Sequence, residues 1–198
     1  MSRDEIENYV ILGELSLDGS LRPIRGTLPI AIEISKIDTK GMVLPVENAS
    51  EAAMAQNVKV YPVASLSEAV AFFNGELAIE PFGVSLEEVF SSICYYHIDF
   101  QDVKGQQQVK RALEVAAAGG HNIIMIGPPG SGKTMLTKRM PTILPDLTLA
   151  EALETTKIHS VAGLLPSHTP LIATRPFRSP HHTISDTGVM QWAAGVFC

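Results

Sequence analysis

From Tyr9 to Gly26 the chain reads "YVILGELSLDGSLRPIRG", alternating apolar and polar positions on both sides of Asp18-Gly19. A period of two puts successive side chains on opposite faces of a strand. An Asp-Gly pair between two such runs predicts a hairpin, because its tight turn takes positive φ at the centre. The period then changes. In "LPIAIEISKI", Leu28, Ala31, Ile32 and Ser35 fall on one face of a helix. "GMVLPV" is short and apolar, the pattern of a buried strand. "NASEAAMAQ" carries Glu51 three residues after Asn48, which predicts a helix capped by Asn48 in a capping box. "VKVYPV" reads as a further strand, and "SLSEAVAFFNG" as a helix that Gly75 ends. Hairpin, helix, strand, helix, strand, helix is the order of a mixed sheet with helices packed on it.

The second half is more helical. Past Pro81 and Gly83, the residues Leu86, Val89, Phe90 and Ile93 recur at helical spacing. Tyr95 and Tyr96 follow; stacking on a base and packing at a domain junction are both open to them, and packing is the preferred reading. Ala112, Val115 and Ala116 mark the apolar stripe of another helix, ended by Gly119-Gly120. Asn122 to Ile126 is an apolar run of strand type, and Met135, Leu136 and Met140 restore helical spacing after it. Thr148 with Glu151 is a second capping-box pattern. The domain boundary is expected between Gly75 and Asp99.

Composition narrows the class. The chain has 198 residues, room for one large domain or two small ones. Hydrophobic residues make up 45% and charged residues 18%, which favours a packed core over disorder. A net charge of -6 argues against a broadly basic nucleic-acid surface, though not against a local basic groove. Cys94 and Cys198 have no CxxC spacing and read as free thiols of a reducing compartment. The opening "MSRDEIENY" is acidic and polar, unlike a signal peptide, and no apolar run approaches a membrane span. The expectation is a soluble, cytoplasmic α/β protein.

The chemistry concentrates in "GPPGSGKT", which fits G-x-x-x-x-G-K-[ST] at Gly127, Gly132, Lys133 and Thr134. Glycines let backbone amides turn inward with no side chain blocking phosphate oxygens. The start of a helix adds its positive dipole end. Lys133 is placed to reach the β- and γ-phosphates as a point charge, and the Thr134 hydroxyl to ligate Mg²⁺. A plain Gly-Pro turn between strand and helix accounts for the glycines but not for Lys-Thr at this spacing. The expected ligands are ATP and Mg²⁺, held by Gly127, Pro128, Pro129, Gly130, Ser131, Gly132, Lys133 and Thr134.

Two longer stretches carry a resemblance. "GELSLDGSLRPIRGTLPIA" with "LPVENASEAA" resembles the Lon-protease-like domain that precedes the ATPase in the Mg-chelatase-like AAA+ family. "DFQDVKGQQQVKRALEVAAAGGHNIIMIGPPGSGKTML" resembles the start of that family's AAA+ module, and "RPFRSPHHTISD" is characteristic of its ComM-type branch. The implied fold is α/β. It comprises a partial Lon-protease-like (ribosomal S5 domain 2-like) α+β domain at 1–75, a linker with a short helix at 76–98, and a partial P-loop AAA+ domain at 99–198. The resemblance also places Val103, Gly105 and Gln106 beside the adenine. It implies a homo-oligomeric ring, DNA as partner, and a motor that remodels branched DNA during recombination in natural transformation. Two other functions compete with that one: the ATPase subunit of a chelatase inserting Mg²⁺ into a porphyrin, and a non-catalytic assembly module.

Several departures qualify the resemblance. A Lon-type serine–lysine pair is missing: Thr27 to Ala31 follow Gly26, the next lysine is Lys36, and the serine-bearing segment belongs upstream. Protease activity is therefore not expected. Arg175, Arg178, His181 and His182 invite a metal or nucleic-acid reading, but adjacent histidines in extended chain point to opposite sides and chelate poorly. A structural loop is the preferred reading there. No apolar strand ending in Asp-Glu follows Thr134, so the Walker B carboxylate, sensors and arginine finger that hydrolysis requires are absent. The resemblance spans residues 8 to 186, and the tail "TGVMQWAAGVFC" departs from it. The expectation is an internal fragment, truncated at both ends.

Overall fold

The computed structural model describes residues 6–93, 95–166 and 169–179. They form two compact units. The first runs to Ile93 and resumes over Ala152–Ile172; the second lies between these segments and resumes at Ala173. The described residues include no helix long and apolar enough to cross a membrane.

The first unit is built on a parallel sheet. β1 (Tyr9–Ile11), β4 (Gly41–Pro45) and β5 (Val60–Val63) stand in the order β1-β4-β5. Tyr9 pairs with Gly41, and Met42 with Val60. β2 (Glu14–Leu15) and β3 (Leu21–Arg22) form a separate antiparallel hairpin around Asp18-Gly19. The single mixed sheet expected from the order of elements is thus divided in two. The alternating run that opens the chain is shared between them: β1 joins the parallel sheet, and only the part after Gly13 enters the hairpin. Gly19 has φ 85°, and Asp18 Oδ1 accepts from the Ser20 amide at 3.0 Å and the Ser20 hydroxyl at 2.7 Å. Those bonds hold the Asp18 carboxyl below its ordinary pKa.

Every residue of β4 is buried, and their alternation divides the core. Met42 and Leu44 pack with Val60 against α1 (Thr27–Ile34) and α2 (Val46–Ala53), meeting Ala31, Ile34, Ala49 and Ala52. Val43 faces the other way, with Tyr61, Val63 and the residues Ala69 and Phe73 of α3 (Leu66–Phe73). Burying a side chain of this size contributes about 1.5–3 kcal/mol. Gly41 is required by the close approach of β5: a Cβ there would lie 2.5 Å from the Lys59 carbonyl oxygen. Pro62 lacks an N–H and sits on β5, at the edge of the three-stranded order. Gly75 ends α3 with φ 74°, as its position predicts.

Asn48 does not cap its helix. α2 starts directly from β4 with Pro45 at the N-cap, so Asn48 and Glu51 lie inside it, three residues apart and on one face. Both are buried and both serve another segment. Asn48 donates to the Ile24 carbonyl and accepts from the Ile24 amide, each at 2.9 Å. Glu51 Oε1 accepts from the Leu28 amide at 2.8 Å and from the Ser160 hydroxyl. Leu28 is in the first turn of α1, where amides lack intrahelical partners, and the N-cap Gly26 offers no side chain. Glu51 therefore caps α1 from a neighbouring helix. Ser160 belongs to α7 (Leu149–Val161), on which the buried Thr156 hydroxyl donates to Ala152 O at 2.6 Å and accepts from the Ile172 amide at 2.9 Å.

The second unit has a smaller core: Phe100, Val103, Leu113 and Leu136, with Met125, Met140 and Ile143 against them. α4 (Leu86–Ile93) precedes it in the chain, with Leu86 buried. α5 (Gln107–Ala118) buries Leu113, Ala116 and Ala117. The expected stripe of Ala112, Val115 and Ala116 is rotated: Val115 is 53% exposed, because Leu113 has the larger side chain and claims the core. The expected strand Asn122–Ile126 forms no ladder among the described residues. Met125 still turns inward while Ile124 is 87% and Ile126 94% exposed. The period of two survives, but a strand is completed only by a neighbour that takes its backbone bonds.

Two substitutions test the first unit. Glu51→Ala strands the Leu28 amide and the Ser160 hydroxyl, and should lower the unfolding free energy by about 1–3 kcal/mol in denaturant titration. Thr27 is fully buried and its hydroxyl has no hydrogen-bond partner. Thr27→Val should therefore be neutral or stabilising by up to about 1 kcal/mol, and a loss of stability would show that the hydroxyl is satisfied.

Candidate nucleotide site

The loop from Gly127 leads into α6 (Lys133–Arg139), whose N-cap is Gly132. Gly130 has φ 78° and Gly132 φ 85°, conformations that side chains with a Cβ rarely take. A Cβ on Gly127 would sit 3.1 Å from the Ser131 hydroxyl. The Lys133 ammonium is drawn back over the loop. It donates to Gly127 O at 2.8 Å, Pro128 O at 2.9 Å and the Ser131 hydroxyl at 3.3 Å. Pro129 and Thr134 are exposed, Thr134 in the first turn of α6.

The upstream tripeptide is only partly at this site. Gln106 reaches the loop and its amide donates to Ser131 O at 3.2 Å. Gly105, with φ 68°, turns the chain immediately before it. Val103 is 1% exposed and packs in the core with Phe100 and Leu136, beneath the loop's helix.

A support that the motif reading missed lies at the far end of α6. Arg139 Nε donates to Asp99 O at 3.0 Å, and its guanidinium stands 3.5 Å from Asp102. Asp99 and Asp102 close a capping box around the 3₁₀ turn Phe100–Asp102. The Asp102 carboxyl is held below its ordinary pKa, first by the Asp99 amide it accepts and then by Arg139. Thr142 adds a hydroxyl that accepts from the Phe100 amide at 3.1 Å. The Asp-x-x-Asp spacing before the helix was the available signal.

Comparison with known proteins gives the chain a family. Residues 99–193 match the sequence family described as magnesium chelatase, subunit ChlI, and residues 1–48 match one described as subunit ChlI of Mg-chelatase. The competence protein ComM of Haemophilus influenzae is 35% identical over 190 residues, covering 93% of this chain and 36% of its own length. The chain belongs to the magnesium-chelatase-like family of ComM type. An uncharacterized protein of Mycobacterium tuberculosis is 40% identical over 193 residues, 98% of this chain and 38% of its own length. The uncharacterized protein YifB of Escherichia coli is 37% identical over 190 residues. The chain spans little more than a third of these relatives. The family match runs to residue 193, past Asp186 where the motif reading ended it, and starts at residue 1 rather than 8.

The ComM-type segment 175–186 is described only in its first part. Arg175 is a framework residue: Nε donates to Pro145 O at 2.7 Å, its amide to the Tyr96 hydroxyl at 2.9 Å, and its guanidinium lies 3.9 Å from Glu151. Tyr96 serves the second unit through that hydroxyl, while Tyr95 is 71% exposed. Arg178 is described and exposed; His181, His182 and the tail after Asp186 lie outside the described residues.

The Thr148 cap forms as its spacing predicts. Glu151 Oε2 accepts from the Thr148 amide at 2.7 Å and its hydroxyl at 2.8 Å. These two bonds, then the more distant Arg175, hold the Glu151 carboxyl below its ordinary value. A depressed folded pKa contributes stability above the unfolded value, about 4.3, and loses it as the pH falls through the folded value. An NMR titration of Glu151 should give a midpoint below about 4.3; one at or above it would mean the cap does not persist in solution.

Proposed function

We propose that the chain binds Mg-ATP at Gly127–Thr134, as part of the ATPase of a ComM-type AAA+ motor that remodels branched DNA in recombination. The observation that carries this reading is Lys133, whose ammonium is gathered into a loop of left-handed glycines rather than extended into solvent. The residues suit the ligand: glycines at closely approached positions, a helix start, a cation on the loop, and an exposed hydroxyl next to it.

In this reading Lys133 exchanges its loop carbonyls for β- and γ-phosphate oxygens, so the same cation serves both states. The loop amides supply further donors without rearrangement of a side chain. Thr134 provides a hydroxyl ligand to Mg²⁺. Gly105 and Gln106 flank the site on the side that the family resemblance gives to the base. Bound Mg-ATP would supply a phosphoanhydride whose hydrolysis drives a motor. Hydrolysis also requires a carboxylate beside the metal and a group orienting water, and the described residues bring neither to this loop. The homo-oligomeric ring and the cytoplasmic setting belong to the same proposal.

The matched family's description favours a second reading, an ATPase subunit for Mg²⁺ insertion into a porphyrin. Tetrapyrrole genes beside this one would support it, and competence or recombination genes the motor.

Lys133→Ala removes a charged donor to phosphate, worth about 1.5–3 kcal/mol. Calorimetry with a non-hydrolysable Mg-ATP analogue should show affinity at least about tenfold weaker. Unchanged affinity would remove the site from this loop. Thr134→Val should abolish the part of the affinity that depends on Mg²⁺.

A further inference from the structure

Gln106 and Gln56 are the non-glycine residues with positive φ among those described. Gln106 stands at φ 53° and ψ 39°, at the N-cap of α5 and directly after the left-handed Gly105. Local preference at such a point calls for glycine, or for asparagine, aspartate or serine, whose short side chains cap the helix. Glutamine has neither advantage, and its side chain makes no capping bond. Its amide is used elsewhere, on Ser131 O, 25 residues along the chain. The fit is close, since a Cβ on Gly132 would lie 3.1 Å from Gln106 Nε2.

Ser131 is thereby held from two directions. Gln106 takes its carbonyl, and Lys133 donates to its hydroxyl. The peptide that follows is planar and trans, so its C=O and N–H point oppositely. Tying the Ser131 carbonyl to Gln106 turns the Gly132 amide away from Gln106 and limits rotation of the peptide at the head of α6. A phosphate loop binds through such amides, and their direction decides how many reach one anion.

We infer that Gln106 is a positioning residue for the phosphate loop: its side-chain amide fixes the Ser131–Gly132 peptide, so phosphate affinity depends on it independently of the base. This rests on the nucleotide reading of the loop and extends it beyond the adenine-side role that the resemblance implies. The left-handed backbone brings the side chain to Ser131, which gives a physical reason for glutamine where a glycine would be less strained.

The backbone and side-chain roles separate in Gln106→Gly, which favours the left-handed conformation and deletes the amide. Gln106→Asn keeps an amide one methylene too short. Each variant is titrated calorimetrically with Mg-ATP and with Mg-tripolyphosphate, and its melting is followed without ligand. Gln106→Gly relieves the left-handed backbone and loses one hydrogen bond, so it should melt close to the wild-type temperature. Both variants should bind both ligands about three- to tenfold more weakly, the effect of one neutral hydrogen bond. Wild-type affinity for tripolyphosphate would overturn the inference. So would a loss confined to Mg-ATP, which marks a base contact, or a melting temperature of Gln106→Gly lowered well beyond the loss of one hydrogen bond, which marks a support of the fold. Lys133→Ala is measured alongside: if it binds both ligands as wild type does, the nucleotide reading fails whatever Gln106 does. If it loses both while Gln106→Gly loses neither, only the Gln106 inference falls.

Discussion

The buried carboxylate of Glu51 joins three elements of the first unit that no sheet or helix ladder connects. It caps α1 through the Leu28 amide, takes the Ser160 hydroxyl of α7, and is anchored on α2. A polar group out of water is costly unless it finds hydrogen-bond partners. Here two donors converge on one of its oxygens. Asn48, one turn earlier, satisfies both backbone groups of Ile24. The segment between β3 and α1 thus finds side-chain partners for backbone groups that would otherwise be buried without any. The central strand β4 is buried on both faces, by α1 and α2 on one side and by α3 on the other.

The second unit solves the same backbone problem with long cationic and amide side chains. Its described residues contain no strand ladder, so carbonyls in its loops need other donors. Lys133 serves Gly127 and Pro128, Gln106 serves Ser131, Arg139 serves Asp99, and Arg175 serves Pro145. Each bond crosses from an element or loop to a turn that local structure leaves open. The loop is consequently shaped by its own side chains. Arg175 is committed to the framework in the same way, in keeping with the structural loop preferred for its segment.

What could be read in advance was local. The Asp18-Gly19 hairpin, the buried run of β4, the left-handed Gly75 and the Thr148–Glu151 cap depend on residues within a few positions of one another. The turn from Gly127 into α6 belongs with them, since its left-handed glycines and the Lys133 that starts the helix are contiguous. The stripe on α5 was misplaced by one position because alanine and valine matched the helical period as well as leucine did, and side-chain volume decided which face turned inward.

The sequence by itself determined the family and most elements of the first unit, because each is written in spacing along the chain. Tertiary structure alone decided where polar side chains were spent. Asn48 and Glu51 have the spacing of a helix cap whether they serve their own helix or another's first turn. Gln106 has no local reason to reach a loop 25 residues away. Hydrogen bonding is satisfied by whichever partner folding brings within about 3 Å, and sequence separation places no limit on which partner that is.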